Sequence, residues 1–311
     1  MRKHTKQSFN IKIYKGFFNT KGYLEVETPL LSSTLIPESN LSIFETEHTH
    51  PFKSNKKAYL VPSPEVWLKR FLSKNPINIF EISKCFRNSE QSGRQHNPEF
   101  TMVEFYSMDF THLDTLNLTK ELLNYINSNY PDSKLPNKHL EMSMDEAFIK
   151  FAGFSLENNI SKEQLKIRAT ELGIFTEESD DWESTFNRIF IDIVEPNLPK
   201  DVNLFLTNFP SNIQTLAKQI QDTPWAQRWE LYINGIECGN CYTEESNPKL
   251  IKNYFLNEGE VKHSVDMDYY KIFETFPECS GGAIGIDRLI MGILGIEEIQ
   301  GVILFPHHDN I

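Results

Sequence analysis

Residues 85–106, CFRNSEQSGRQHNPEFTMVEFY, read as the end of one strand, a polar loop and a second strand. The first strand spans Ile77 to Phe86 and stops at Arg87. The loop is made of Ser, Glu, Gln, Gly, Arg, His, Asn and Pro, residues that turn the chain or donate hydrogen bonds. In the second strand Phe100, Met102, Glu104 and Tyr106 share one face, and Glu99, Thr101, Val103 and Phe105 the other, because side chains alternate. An arginine at a strand end, facing an aromatic ring and a carboxylate, suits a nucleotide. Its guanidinium grips phosphate with two parallel donors, which lysine cannot copy. A phenylalanine face can stack on a base. An ordinary hairpin with a charged loop fits the same pattern.

Two further segments bear on that choice. Cys279 to Gly295, CSGGAIGIDRLIMGILG, places Gly281, Gly282 and Gly285 where backbone can approach a ligand, although close helix–sheet packing also uses glycine. An apolar helix starts near Ile286 with Arg288 in its first turn. That end of a helix is already positive, so a cation there calls for an anion or a base to stack upon. Trp229 to Tyr242, WELYINGIECGNCY, carries Asn234-Gly235 between alternating residues, a two-residue hairpin turn. Ile233 should pair with Ile236 and Tyr232 with Glu237, so Glu230, Tyr232 and Glu237 line one face. The two carboxylates are then diagonal neighbours, about 7–8 Å apart at the backbone. Like charges on one face need neutralising, and magnesium carried by ATP phosphates would do so. A solvated hairpin face is the plain alternative.

In this order the three segments resemble the motifs of class II aminoacyl-tRNA synthetases. Gly22 to Pro29, GYLEVETP, is similar to the first, dimer-forming motif; Phe86 to Phe105 to the second; Gly281 to Arg288 to the third. The strings SPE (Ser63 to Glu65), HNPEFTM (His96 to Met102), FPSNIQTLAK (Phe209 to Lys218) and GIDR (Gly285 to Arg288) resemble the lysyl-tRNA synthetase branch, over nearly the whole chain. Three features point past the synthetase itself. Little sequence precedes the first motif (a short helix-like lead, Ile11 to Asn19), so no anticodon-binding domain is expected. Lys and Arg number 31 against 43 Asp and Glu, a net charge of −12, where a nucleic-acid binder needs a basic surface. The loop reads Arg94-Gln95-His96, with an extra residue, and Ala283 stands at a glycine position of the third motif. These features resemble the stand-alone synthetase paralogues that attach lysine or (R)-β-lysine to translation elongation factor P.

That resemblance implies an α+β class II catalytic domain filling residues 1–311, with a mainly antiparallel six-stranded sheet flanked by helices and a mainly helical insertion at about 110–200. It implies ATP and Mg2+, lysine or (R)-β-lysine as substrate, elongation factor P as acceptor, no tRNA, no membrane, a cytoplasmic location and a homodimer through residues 22–29. Arg87 and Arg288 would be catalytic. ATP would meet Arg87, Asn88, Ser89 or Glu90, Asn97, Phe100, Glu237, Cys238, Gly285 and Arg288, with adenine between Phe100 and Arg288. Glu230 and Glu237 would hold the metal. Ser63, Pro64 and Glu65 would take the amino group nearest the substrate carboxylate, and Tyr106 and Glu244 the distal ammonium. A cation entering a partly dry pocket must be paired, and two carboxylates and a phenol fit two amino groups. From the residues alone, Glu65 is equally a first-turn acid of a helix capped by Ser63 and Pro64. A truncated lysyl-tRNA synthetase and an inactive sensor remain as alternatives.

Two residues depart from the family pattern. Ser89 stands where glutamate is usual, with Glu90 next to it, and Cys241 stands where glycine is usual and would crowd the pocket floor. Cys238 and Cys241 have metal-like spacing, yet no second pair exists, and on a regular strand they would point to opposite faces. Buried free thiols are expected for all four cysteines. Helices are expected at Asp114 to Asn129, Met144 to Phe151, Lys162 to Leu172 and Trp182 to Ile193; Glu177 to Glu183 reads as a solvated acidic loop, and Phe305 to Asp309 as a solvated tail.

Overall fold

The computed structural model describes residues 3–38, 41–88, 93–159, 161–257 and 261–307, with the side chains of 3–10 set aside. A central sheet of eight strands dominates. In chain order its strands are β1 (Leu24–Glu25), β5 (Ile79–Phe86), β6 (Glu99–Met108), β7 (His139–Ser143), β8 (Asn203–Pro210), β9 (Trp225–Ile233), β10 (Ile236–Thr243) and β11 (Cys279–Gly285). Three short strands, β2 (Leu31–Ser32), β3 (Glu45–His48) and β4 (Lys56–Leu60), form a separate sheet. The helices are α1 (Lys3–Thr20), α2 (Glu65–Leu72), α3 (His112–Asn129), α4 (Met144–Phe151), α5 (Lys162–Glu171), α6 (Trp182–Ile189), α7 (Pro248–Asn257) and α8 (Ile286–Leu294).

The large sheet runs β1-β5-β6-β11-β10-β9-β8-β7. Its six middle strands are antiparallel, and β1 and β7 each add a parallel edge. The sheet therefore has eight strands, not the six expected. Its two extra members are two and five residues long, too short to carry a periodic signature. The lead helix is also longer than expected. It begins at Lys3, where KHTKQSFN has no apolar periodicity to mark it. Trp182 to Ile193 is helical, but after Ile189 it widens into a π-turn, Phe190–Val194.

Alternation along the strands divides the core. Phe80, Val103, Phe105, Phe205, Leu231, Ile233 and Ile284 point to one face, which α1, α3 and α8 cover. On the other face, Leu204, Leu206 and Tyr232 pack under α4, α5 and α6 at one end. At the opposite end, Ile79, Tyr106 and Cys279 pack under α2 and α7. Each apolar side chain buried in these clusters contributes about 1.5–3 kcal/mol. Between the two end clusters the same face stays open over β6, β11, β10 and β9. A cavity of about 580 Å³ lies there.

One turn and one bulge set the register of β10 against β9. Asn234 and Gly235 both take positive φ, 54° and 78°, as a type I′ hairpin requires. Ile233 pairs with Ile236 and Tyr232 with Glu237, as the sequence implies. A bulge then intervenes: Gly239, not Cys238, meets Leu231. This slip turns Cys238 and Cys241 to the same side, both into the core under α3 and α8, so they do not point to opposite faces as expected. All four cysteines are buried and free.

Candidate active site

One end of the cavity is lined by the strand-end arginines. Arg87 follows β5, and its guanidinium lies 5.2 Å from the Phe100 ring across the hairpin. Arg288, in the first turn of α8, donates from Nη1 to the Glu237 carbonyl at 3.0 Å and from Nε to the Gln95 carbonyl at 3.3 Å. Its other near charge is the Glu237 carboxylate at 3.7 Å. Asp287 beside it is buried and accepts the Thr101 N–H at 2.6 Å, pinning α8 to β6. Asn97 holds the hairpin to the C-terminal segment by accepting the His307 N–H at 2.9 Å. The stretch from Phe305 is thus not wholly a solvated tail: His307 is tied to the cleft, while Phe305 is exposed and His308 and Asp309 lie outside the described residues.

The glycines divide by task. A Cβ on Gly281 would come within 2.3 Å of Glu244 Oε1 and 2.6 Å of the Tyr106 ring, and one on Gly282 within 2.8 Å of Phe105. Both let strand β11 pack closely against these side chains, and both also border the cavity. At Gly285 the nearest atom to such a Cβ is 3.7 Å away, and the residue borders the cavity. There the space is open to a ligand.

Glu230 and Glu237 project from β9 and β10 into the same cavity. Glu230 accepts from Arg228 Nη2 at 2.7 Å and from the Tyr232 hydroxyl at 2.9 Å. Burial first, and the nearby Glu237 charge second, push its carboxyl up to about 7. Arg228 and, at 3.7 Å, Arg288 are the cations beside this pair. Among the described residues no three His, Cys, Asp or Glu side chains gather to hold a metal, so an ion here would need oxygens from its ligand as well.

The other end of the cavity is drier and more acidic. Glu65 opens α2 and Glu244 follows β10. Glu104 and Tyr106 stand on β6, and Tyr242 on β10. Tyr106 donates to Glu104 at 2.8 Å and Tyr242 to Glu65 at 3.2 Å. Burial raises the Glu104 carboxyl well above the carboxylate range, and the Glu65 charge adds to this. Burial likewise pushes Glu244 up to about 7, opposed by Lys69. Lys69 lies fully buried between Glu65 Oε1 at 2.5 Å and Glu244 Oε2 at 2.8 Å.

Most of the expected residues therefore converge. Ser63, Glu65, Arg87, Asn97, Phe100, Tyr106, Glu230, Glu237, Cys238, Glu244, Gly285 and Arg288 all border one cavity. Pro64 does not; it occupies the N-cap position of α2 in helical conformation, while the Ser63 hydroxyl accepts the Glu65 N–H at 3.4 Å. Asn88 is exposed and outside the lining, its N–H donated to the Ser42 carbonyl. Ser89 and Glu90 lie outside the described residues. Cys238 borders the cavity, but its thiol sits against the Ile236 carbonyl, pushed up to about 12 by burial. Cys241 does not crowd the pocket. The bulge sends its thiol into the core, where Thr115 Oγ1 lies at 3.0 Å. Glu183, read as part of a solvated loop, lines the cavity from α6.

Sequence reading missed Glu104, Lys69, Arg228 and Tyr242. Glu104 was visible on the same strand face as Tyr106. Lys69 carried a signal too: it lies one turn after Glu65, between the buried Leu68 and Leu72.

A six-stranded antiparallel core with paired arginines, glutamates and an open glycine on its uncovered face defines a class II synthetase catalytic domain. The family model for class II tRNA synthetases (D, K and N) matches residues 2–309, and the chain belongs to that family. Among curated proteins, it is 34% identical over 306 residues to the elongation factor P–(R)-β-lysine ligase of Proteus mirabilis, covering 94% of this chain and 91% of that one. It is 37% identical over 289 residues to an elongation factor P–(R)-β-lysine ligase homolog of Aquifex aeolicus, covering 92% and 93%. Identity to the ligase of Haemophilus influenzae is 32% over 315 residues, covering 98% and 95%. Among the described residues no helix is long and apolar enough to cross a membrane.

Proposed function

We propose that this protein is an ATP-dependent ligase that activates lysine or (R)-β-lysine as an aminoacyl-adenylate and passes it to a lysine side chain of elongation factor P. The observation that carries the reading is one cavity with a nucleotide-suited end and a buried acidic end. The names of the similar ligases supply the acceptor. The balance of charge, −12, favours a protein acceptor over tRNA.

The chemistry follows from positioning and charge. The amino-acid carboxylate attacks the α-phosphorus of ATP, and pyrophosphate leaves. Arg87 faces the developing phosphoryl charge. Phe100 and Arg288 flank the adenine, and Gly285 leaves room beside it. Glu230 and Glu237 would hold Mg2+, which would screen the phosphate charge. Glu65, Tyr106 and Glu244 receive the two ammonium groups, and Glu104 adds to that acidic wall. The acceptor amine, which must lose a proton first, then attacks the adenylate carbonyl, and AMP leaves. A second copy of the chain packs against residues 22–29, where Leu24 is half exposed and Leu30 and Leu31 lie exposed just beyond.

The test is ATP–pyrophosphate exchange with each lysine isomer, followed by intact-mass analysis of elongation factor P after incubation with enzyme and ATP. A mass gain of one lysyl group on the factor is expected. Exchange with transfer only to tRNA would assign the protein to tRNA charging, and no exchange with any isomer would reject the enzyme.

A further inference from the structure

Lys69 has no task in the chemistry above, yet it is the most completely enclosed charge in the cleft wall. Its side chain is 0% exposed and does not border the cavity, so it reaches the carboxylates from the α2 side, behind the ligand space. Its ammonium touches both Glu65 and Glu244 and lies 5.5 Å from the Tyr242 ring centre. An isolated buried ammonium is costly; two carboxylates and an aromatic face offset that cost. Burial alone would strip the proton from Lys69, but Glu244 and Glu65 together hold it firmly charged.

We propose that Lys69 is a positioning residue of the amine-binding end: a fixed cation, buried behind the ligand space, that holds the Glu65 and Glu244 carboxylates aligned toward an incoming ammonium group. The inference rests on reading the cleft as a diamino-acid adenylation site. Three acidic side chains, Glu65, Glu104 and Glu244, face this region; burial raises the Glu104 carboxyl well above the carboxylate range, and Lys69 bridges the other two. Without Lys69 the buried Glu244 carboxylate loses its cation, and burial then favours its protonated form. The other titratable groups packed here are Tyr106, Tyr242, Tyr269 and Cys279, all raised by burial and neutral near pH 7.

Lys69→Met and Lys69→Arg are compared with wild type in lysine-dependent ATP–pyrophosphate exchange from pH 5.5 to 9. In Lys69→Met, KM for lysine is expected to rise at least about tenfold, with KM for ATP within about twofold. The acid limb of the lysine KM profile moves up by about one pH unit, because Glu244 loses the cation that favours its charged form. Lys69→Arg keeps the limb. A limb at the wild-type pH with lysine KM within about twofold overturns the proposal. Stability gives a second readout should Lys69→Met fold poorly. Lys69→Met/Glu244→Gln removes both charges and is expected to recover most of the lost melting temperature or soluble yield. A double variant no better than the single one also overturns it. Wild-type exchange is the control for the functional reading itself: its absence sinks that reading, whereas normal wild-type exchange with an unmoved Lys69→Met sinks only this inference.

Discussion

The two ends of the cleft are built on different principles. At the nucleotide end Arg87 and Arg288 sit at a strand end and a helix start, and Arg288 at 24% and Glu237 at 41% keep contact with solvent, while Glu230 there is buried. At the amine end Glu104, Lys69 and Glu244 are each under 5% exposed. A partly wet end can wait for a polyanion, because water serves its charges meanwhile. A dry end cannot, and so carries an internal cation and raised carboxyls until the substrate arrives. The difference teaches that one cleft can combine solvent-touched donors at one end with prearranged, desolvated acids at the other.

The sharpest way to break this contrast is at the nucleotide end. Arg87→Ala or Arg288→Ala should lower lysine-dependent ATP–pyrophosphate exchange by about 10²–10³-fold, the scale of losing one donor to developing charge. Near-normal rates in both variants would remove the nucleotide from that end. Next is Glu244→Gln. Taking away a buried partner of a cation typically costs 2–5 kcal/mol, so lysine KM should rise about thirtyfold or more while KM for ATP hardly moves. Equal effects on both constants would erase the division between the ends.

The pH dependence is a subtler test of dryness. Glu244 is raised to about 7, so the empty site holds a proton below that pH. A cationic substrate needs the ionised form, so lysine affinity should weaken as pH falls below about 7, by up to tenfold per unit. The sign for stability is opposite. A carboxyl whose folded value exceeds its unfolded one stabilises the fold at low pH and loses that contribution as pH rises from about 4.5 through about 7. The melting temperature of the empty enzyme should show that loss relative to Glu244→Gln, and saturating lysine should abolish it. Identical profiles in the two proteins would show Glu244 to be solvated. The smallest effect belongs to Cys241→Ala. Its thiol packs in the core, so stability should fall by about 1 kcal/mol by thermal unfolding with lysine KM unchanged. A shift in KM would return Cys241 to the pocket.

The ends also differed in how legible they were. Arg87, Phe100 and Arg288 stand at sequence boundaries where a strand stops or a helix starts, and turn chemistry marks those boundaries locally. The Asn234-Gly235 turn likewise announced the pairing of Tyr232 with Glu237. The bulge after Glu237 had no such marker, and it turned Cys241 into the core on the same side as Cys238 instead of toward the pocket. At Gly281 and Gly282 the sequence could not show which side chains, Glu244, Tyr106 and Phe105, would crowd a Cβ there. The two edge strands went unread because so few residues carry no period.

Strand and helix periodicity, hairpin turns and motif order are local, and reading residues in order was enough to place an antiparallel sheet with one arginine at a strand end and another at a helix start. The acidic end joins residues far apart along the chain: Tyr242 meets Glu65 across 177 positions. Whether a lysine such as Lys69 lies in water or clasped between two buried carboxylates depends on what packs over it, and that follows only when the sheet and helices close around it.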